Sequence, residues 1–215
     1  MSSWSFCLLF PCRHGILEFS SVSLGVFMSL PLCVSALVQS SVAPLGFSGS
    51  RSAVPPVLSS VLCLLARSSC PVFVGCAGGV DGSVVAGLGR SGSARLRVFR
   101  VAGAGRGLLA ARSVAFVRAL SAAGGSLLSF PSGACPAGLV PSSSPSRCFT
   151  GYGSGSWASL ALAVGLGGPC SVFLGLAPTP SGRSVPVLPP RGWGLASLGF
   201  GWWASGSAPV QSCLF

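Results

Sequence analysis

The chain has almost nothing to set against its positive charge. Thirteen arginines oppose two acids, Glu18 and Asp81, across 215 residues, and lysine and asparagine are absent. Charged residues are 7% of the chain, against roughly 25% in an ordinary soluble domain. A surface of interleaved ion pairs is therefore out of reach. Seven of the arginines crowd into residues 90–118, RSGSARLRVFRVAGAGRGLLAARSVAFVR. Arg90, Arg95, Arg97, Arg100, Arg106, Arg112 and Arg118 make this a basic island in a nearly uncharged chain. Any polar function has to be arranged around it.

The background to that island points in two directions at once. Half of the residues are hydrophobic and mean hydropathy is +0.77, the reverse of a solvated disordered chain. Yet Gly, Pro and Ser supply 87 residues, about 40% of the chain, which is a mark of low complexity. Such a chain collapses and self-associates without settling on one packing. The bias also has a source outside folding. Tyr, His, Gln, Asn, Lys, Asp and Glu, whose codons carry adenine in second position, total six residues. Every stop codon contains adenine, so an adenine-poor strand stays open over long distances by chance. The expectation from composition is no single stable fold: a mostly irregular, low-complexity chain with a few short helices, at about 108–120 and 157–177. The matching expectation for function is a fortuitous or weakly selected reading frame with no evolved biochemical activity.

In order, six stretches follow one another. Residues 1–38 are apolar and form a signal or anchor candidate, with Arg13 as basic flank, 19–32 as the apolar region and Val34-Ser35-Ala36 as a small-residue cleavage site. Glu18 and Pro31 count against it. Residues 39–89 read as irregular and apolar, broken by Pro44, Pro55 and Pro56. Within them, the apolar runs 57–66 and 71–75 do not separate helix from strand by periodicity, and 83–86 is a candidate strand. The island, 90–118, contains the best helix signal: 108–120 has good helix formers, no internal Gly or Pro, and Gly124-Gly125 as a stop. Its arginines at 100, 106, 112 and 118 fall six apart, a spacing that turns a helix by about 240° and scatters them around it. Residues 119–156 read as a Ser/Gly/Pro-rich linker. Residues 157–177 are 21 uncharged residues, just enough to cross a hydrocarbon layer of about 30 Å as a helix. The tail, 178–215, is rich in Pro, Gly and Trp.

Few motifs carry chemistry. Gly87, Gly89 and Gly92 spell G-x-G-x-x-G behind the candidate strand 83–86, but Asp81 is the last acid in the chain and none follows to hold a ribose. With 31 glycines present, chance supplies such a pattern about as often as not, so no cofactor is expected. Glu18 and Asp81 lie 63 positions apart, His14 is the single histidine, no G-x-S-x-G elbow occurs, and a Walker loop lacks its lysine. No catalytic, cofactor-binding or metal-ligating residue emerges, and the chain does not read as an enzyme. Ten cysteines contain no Cys-x-x-Cys pair; the densest group, Cys63, Cys70 and Cys76, fits no zinc spacing. Free or buried thiols are expected, with a five-bridge secreted scaffold as the alternative. Two further functional readings remain. One is a small integral membrane protein spanning at 19–38 and 157–177, in contact with the lipid bilayer, its island held on the cytoplasmic side. The other is an Arg-rich RNA-binding polypeptide whose seven island arginines contact phosphates of RNA or anionic lipid. No compartment follows from the residues.

Overall fold

Short apolar runs that do not alternate are what parallel strands look like when helices cover both faces of their sheet. The computed structural model, which describes residues 30–89, 93–103, 105–151, 153–178 and 184–205, is built from such runs. Leucine, phenylalanine and small residues make β1 (Leu45–Gly49), and the triplet Val72-Phe73-Val74 makes β2. β3 (Leu96–Val98), β4 (Ser126–Phe130) and β5 (Cys170–Phe173) complete a parallel set in the spatial order β3-β2-β1-β4-β5. Two antiparallel strands, β8 (Leu195–Gly199) and β9 (Trp202–Ser205), extend the sheet beyond β5, so that β9 pairs with β5 and β8 with β9. A separate two-stranded ribbon joins β6 (Leu176–Pro178) to β7 (Ser184–Pro186).

Helices cover both faces. On one side lie α1 (Leu32–Ser40), α2 (Val57–Arg67) and α3 (Val80–Leu88). Their Val34, Val38, Leu58, Val61, Val80 and Val84 join Leu45, Phe47, Val72, Val74, Leu128 and Phe130 of the sheet in one core. On the other side lie α4 (Arg106–Ala122) and α6 (Gly155–Gly165). There Phe116, Leu120, Trp157 and Leu160 pack with Phe73, Leu127 and Val172. Alternate residues of β2 and β4 thus serve opposite cores, which is the period-two geometry of a strand buried on both sides. A short helix, α5 (Pro145–Cys148), precedes α6. Trp202 seals the β5–β9 side, wholly buried and within 5.6 Å of Phe130 and 5.3 Å of Phe173, ring centre to ring centre.

This architecture overturns the expectation of an irregular, disordered, low-complexity chain without a stable fold. A seven-stranded mixed sheet with helices on both faces is a compact α/β fold. The serines that suggested disorder are in part interior: nine are buried among the described residues. Several bond back to the chain, as Ser159 Oγ does to the Gly155 carbonyl at 2.9 Å and Ser113 Oγ to Leu109 at 3.0 Å. The expected helix at 157–177 is also corrected. α6 stops at Gly165, and the same stretch continues through Gly167-Gly168-Pro169 into β5 and β6. Residues 83–86, expected as a strand, lie within α3, and the supposed linker 119–156 contains the central strand β4. The 108–120 stretch lies inside the longer α4. No helix of the described residues is long and apolar enough to cross a membrane, which removes 157–177 as a span. Of the other span, residues 19–29 lie outside the described residues, as does most of the signal candidate, and α1 begins only after Pro31.

Candidate functional site

The strand order dictates where a ligand can enter. From β1 the chain steps outward to β2 and β3, then returns across β1 to β4. Loops leaving the carboxyl ends of β1 and β4 therefore diverge, and an open parallel sheet has its crevice at that reversal. A cleft of about 600 Å³ lies there. Its floor and walls come from Ser48 and Gly49 at the end of β1 with Ser50 and Arg51 beyond it, Gly75 and Ala77 after β2, and Asp81 in the first turn of α3. The first two turns of α4 and the loop and first turn of α6 close it.

Glycines let these pieces meet. Gly79 caps α3 at φ +59°, and a Cβ there would collide with the carbonyl oxygen of Ser50. Ser50 is itself a knot. Its amide donates to the Phe130 carbonyl at 3.1 Å, its carbonyl accepts from Val80 at 3.0 Å, and its hydroxyl accepts from the Ala53 amide at 3.0 Å. The residue thus ties β1 to β4 and to α3. Gly75 leaves room for the Asp81 carboxylate and the Arg112 guanidinium, whose Cζ would lie 3.0 Å from a Cβ at that position.

Asp81 and Arg112 form the charged heart of the cleft. Both are buried, and their closest atoms, Nη2 and Oδ2, stand 4.0 Å apart, an ion pair without a hydrogen bond. Asp81 Oδ2 accepts from the Ala77 amide at 3.2 Å. Burial pushes the Asp81 carboxyl above its ordinary 3.8, outweighing the Ala77 amide and the Arg112 and Arg51 charges that pull it down. Arg112 Nη1 donates to Cys76 Sγ at 3.4 Å, and its buried Nε has no partner. The guanidinium is thus withdrawn from water and only loosely compensated.

The sign of the Asp81 shift gives a pH dependence. A carboxyl raised in the folded state contributes stability that is complete below the unfolded value and is lost as pH rises through the folded one. Native stability is expected to fall as pH climbs from about 4, whereas Asp81→Asn, whatever it costs by leaving Arg112 without its carboxylate, should be flat over that range. Urea midpoints followed by tryptophan fluorescence at several pH values would show it, and parallel curves for both proteins would refute it. Only one other acidic side chain, Glu18, exists to confuse the reading.

Two helices also aim their amino ends at the cleft. Neither α4, entered through Gly105, nor α6, entered through Ser154, has a side-chain cap, and Arg106, Gly107, Gly155 and Ser156 line the cavity. Unpaired amides and the positive end of the helix dipole favour an anion at such ends. Phe149, half-buried, adds an aromatic wall.

The island arginines are dispersed by this fold. Arg106 and Arg112 line the cleft. Arg95 is committed to structure, donating to the Leu65 carbonyl at 2.8 Å and to Cys70 at 3.2 Å. Arg97 is exposed, with its guanidinium 4.8 Å from the Phe99 ring centre and 5.3 Å from that of Phe73. Arg100 and Arg118 are exposed, and Arg90 lies outside the described residues. Gly87 and Gly89 sit at the carboxyl end of α3, far along the chain from any strand-to-helix turn, and Gly92 is not described. A glycine-rich turn that does join a strand to a helix is Gly75-Cys-Ala-Gly78-Gly79, directly after β2. An apolar triplet, a glycine-rich turn and a helix start was the legible signal there. Arg51, outside the island, was missed because nothing in its neighbours is charged. The seven described cysteines are free, and no group of His, Cys, Asp or Glu among the described residues is placed to hold a metal ion. Compared with known proteins, the chain matches no family model, no curated protein and no solved structure, and the chemistry of the cleft is carried by its own residues.

Proposed function

We propose that the protein binds a phosphorylated small molecule of nucleotide size in this cleft. The observation that carries the reading is Arg112: a nine-tenths-buried guanidinium lining the cavity, its Nε without a partner and its carboxylate no nearer than 4.0 Å. A buried cation so poorly paired is costly unless an anion completes it. The uncapped amino ends of α4 and α6 supply amide donors for a phosphate, and Arg51 and Arg106 add exposed positive charge at the cavity wall. Phe149 offers a ring on which a planar group stacks. A volume of about 600 Å³ suits a ligand of that size. The reading is of binding: what lines the cavity among the described residues is positive charge, helix amino ends and an aromatic ring.

Thermal unfolding with adenosine, ribose 5-phosphate, adenosine monophosphate and inorganic phosphate tests it. Ligands carrying phosphate should raise the midpoint in the order of their fit, by about 2.7 kcal/mol of stability at one hundred times Kd. The exposed Arg51→Gln and Arg106→Gln changes should weaken binding at least about tenfold while leaving the free protein's midpoint in place. Equal effects from adenosine and its monophosphate would remove the phosphate from the argument.

A further inference from the structure

Cys76 is the second residue past β2 and stands between Gly75 and Ala77, both of which line the cleft. Its thiol is exposed, and Sγ accepts from Arg112 Nη1 at 3.4 Å. That contact is closer than the 4.0 Å separating Arg112 from Asp81. The guanidinium, nine-tenths buried and with Nε unpartnered, is therefore a fixed cation facing a solvent-accessible sulfur. The charged group that reaches the thiol is Arg112 from α4, itself paired with Asp81 from α3; the backbone amide of Val101 also approaches the sulfur. Arg112 holds the Cys76 thiol below its ordinary value, its hydrogen bond acting more strongly than its charge. The other described cysteines differ. Burial pushes Cys148 up and carries Cys170 up to about 12, and Cys63, though exposed, has no such guanidinium contact.

We infer from this geometry that Cys76 is a thiol-exchange site at the edge of the cleft, taking one half of a small anionic disulfide. The Cys76 thiolate attacks one sulfur of the disulfide, the S–S bond breaks, and the distal half leaves as a thiolate. A mixed disulfide remains on Cys76, and a second thiol reverses the step with the same balance of electrons. Thiolate character and access set such rates, and the fastest attacking thiol is one that ionises near ambient pH. A chain of net charge +11 draws an anionic disulfide toward it. Once formed, the adduct removes the sulfur anion from Arg112 and places a bulky group beside Gly75 and Ala77. The exchange chemistry stands by itself. Its consequence, that the adduct excludes the cleft's ligand, rests on the phosphate reading above.

Oxidised glutathione is the probe, applied to the full chain at pH 7, with each cysteine followed by peptide mass spectrometry. Cys76 should form the adduct about tenfold faster than Cys63, and its rate should level off at a lower pH. In the double variant Asp81→Asn/Arg112→Met, which leaves no buried charge unpaired, that advantage should vanish while Cys148 and Cys170 stay unreactive. Reaction at those two buried thiols would report unfolding, and the pH profile of the native chain then decides. A Cys76 no faster than Cys63 at any pH, or one that keeps its advantage in a folded double variant, overturns the site. Inorganic phosphate, compared with potassium chloride of matched ionic strength, should slow exchange at Cys76 and spare Cys63. Fast exchange that ignores phosphate supports the exchange site and sinks the phosphate reading of the cleft.

Discussion

Gly79→Val is expected to remove the folded state almost entirely, at a cost above about 4 kcal/mol. Two terms add. Gly79 sits at φ +59° and ψ −123°, where a side chain, above all a branched one, is strained by about 1–3 kcal/mol. The new Cβ also meets the carbonyl oxygen of Ser50 and, at 2.6 and 2.7 Å, the carbonyl carbon and oxygen of Arg51. Backbone on that side cannot yield, because Ser50 is bonded to β4 and to α3 at once. Against a total stability of about 5–15 kcal/mol for a typical domain, little is left. Urea unfolding by tryptophan fluorescence is the measurement. Gly79→Ala should lose most of the same amount, and a midpoint within experimental error of the native one would contradict the packing described.

Arg112→Met should cost about 3–5 kcal/mol at pH 7. Methionine fills the space along the stem, so the loss is electrostatic: Asp81 stays buried with only the Ala77 amide and the charge of the exposed Arg51 to answer it. Because burial already raises Asp81, the penalty should shrink toward acid pH, where the carboxyl takes up a proton. Adding Asp81→Asn should restore most of the stability without restoring phosphate binding. Stability that does not return in the double variant would mean that Arg112 holds the fold through its packing, and the case for an undercompensated cation would fail. A double-mutant cycle from denaturant curves separates the two.

Of all the elements α4 alone stood out in the sequence; 157–177 read as one helix and 83–86, inside α3, as a strand. α4 was legible because seventeen residues allow propensity and stop signals to accumulate. The strands were not, because each is three to five residues long and the inner ones are buried on both faces, so that Val72-Phe73-Val74 and Leu127-Leu128 show no alternation. Serine misled most. Ser126 and Ser129 fill a strand in the stretch read as a linker, and Ser48 and Ser171 are buried in strands of stretches read as irregular chain and as a helix. The cleft was half visible. Arg112 and Arg106 stood out in the basic island, but their partners are 31 or more positions away in sequence: Asp81 and Cys76 for the one, the loop before α6 for the wall beside the other. Only the strand order brings them together. A biased coding strand narrows which residue types fill each position; it does not decide whether neighbouring positions fit.

Enclosing Asp81 has a consequence for how the molecule behaves in bulk solution. It is the single acid among the described residues, and with it inside, the arginines outside face no carboxylate of the fold. Between about pH 5 and pH 8 few side chains can change charge, since the chain holds one histidine and two acidic side chains against thirteen arginines. Electrophoretic mobility and colloidal repulsion should therefore scarcely respond to acidity over that range. Added electrolyte acts instead, shortening the reach of the positive field from about 10 Å at 0.1 M to about 3 Å at 1 M. Ionic strength, more than acidity, decides what this protein meets and how closely its own copies approach.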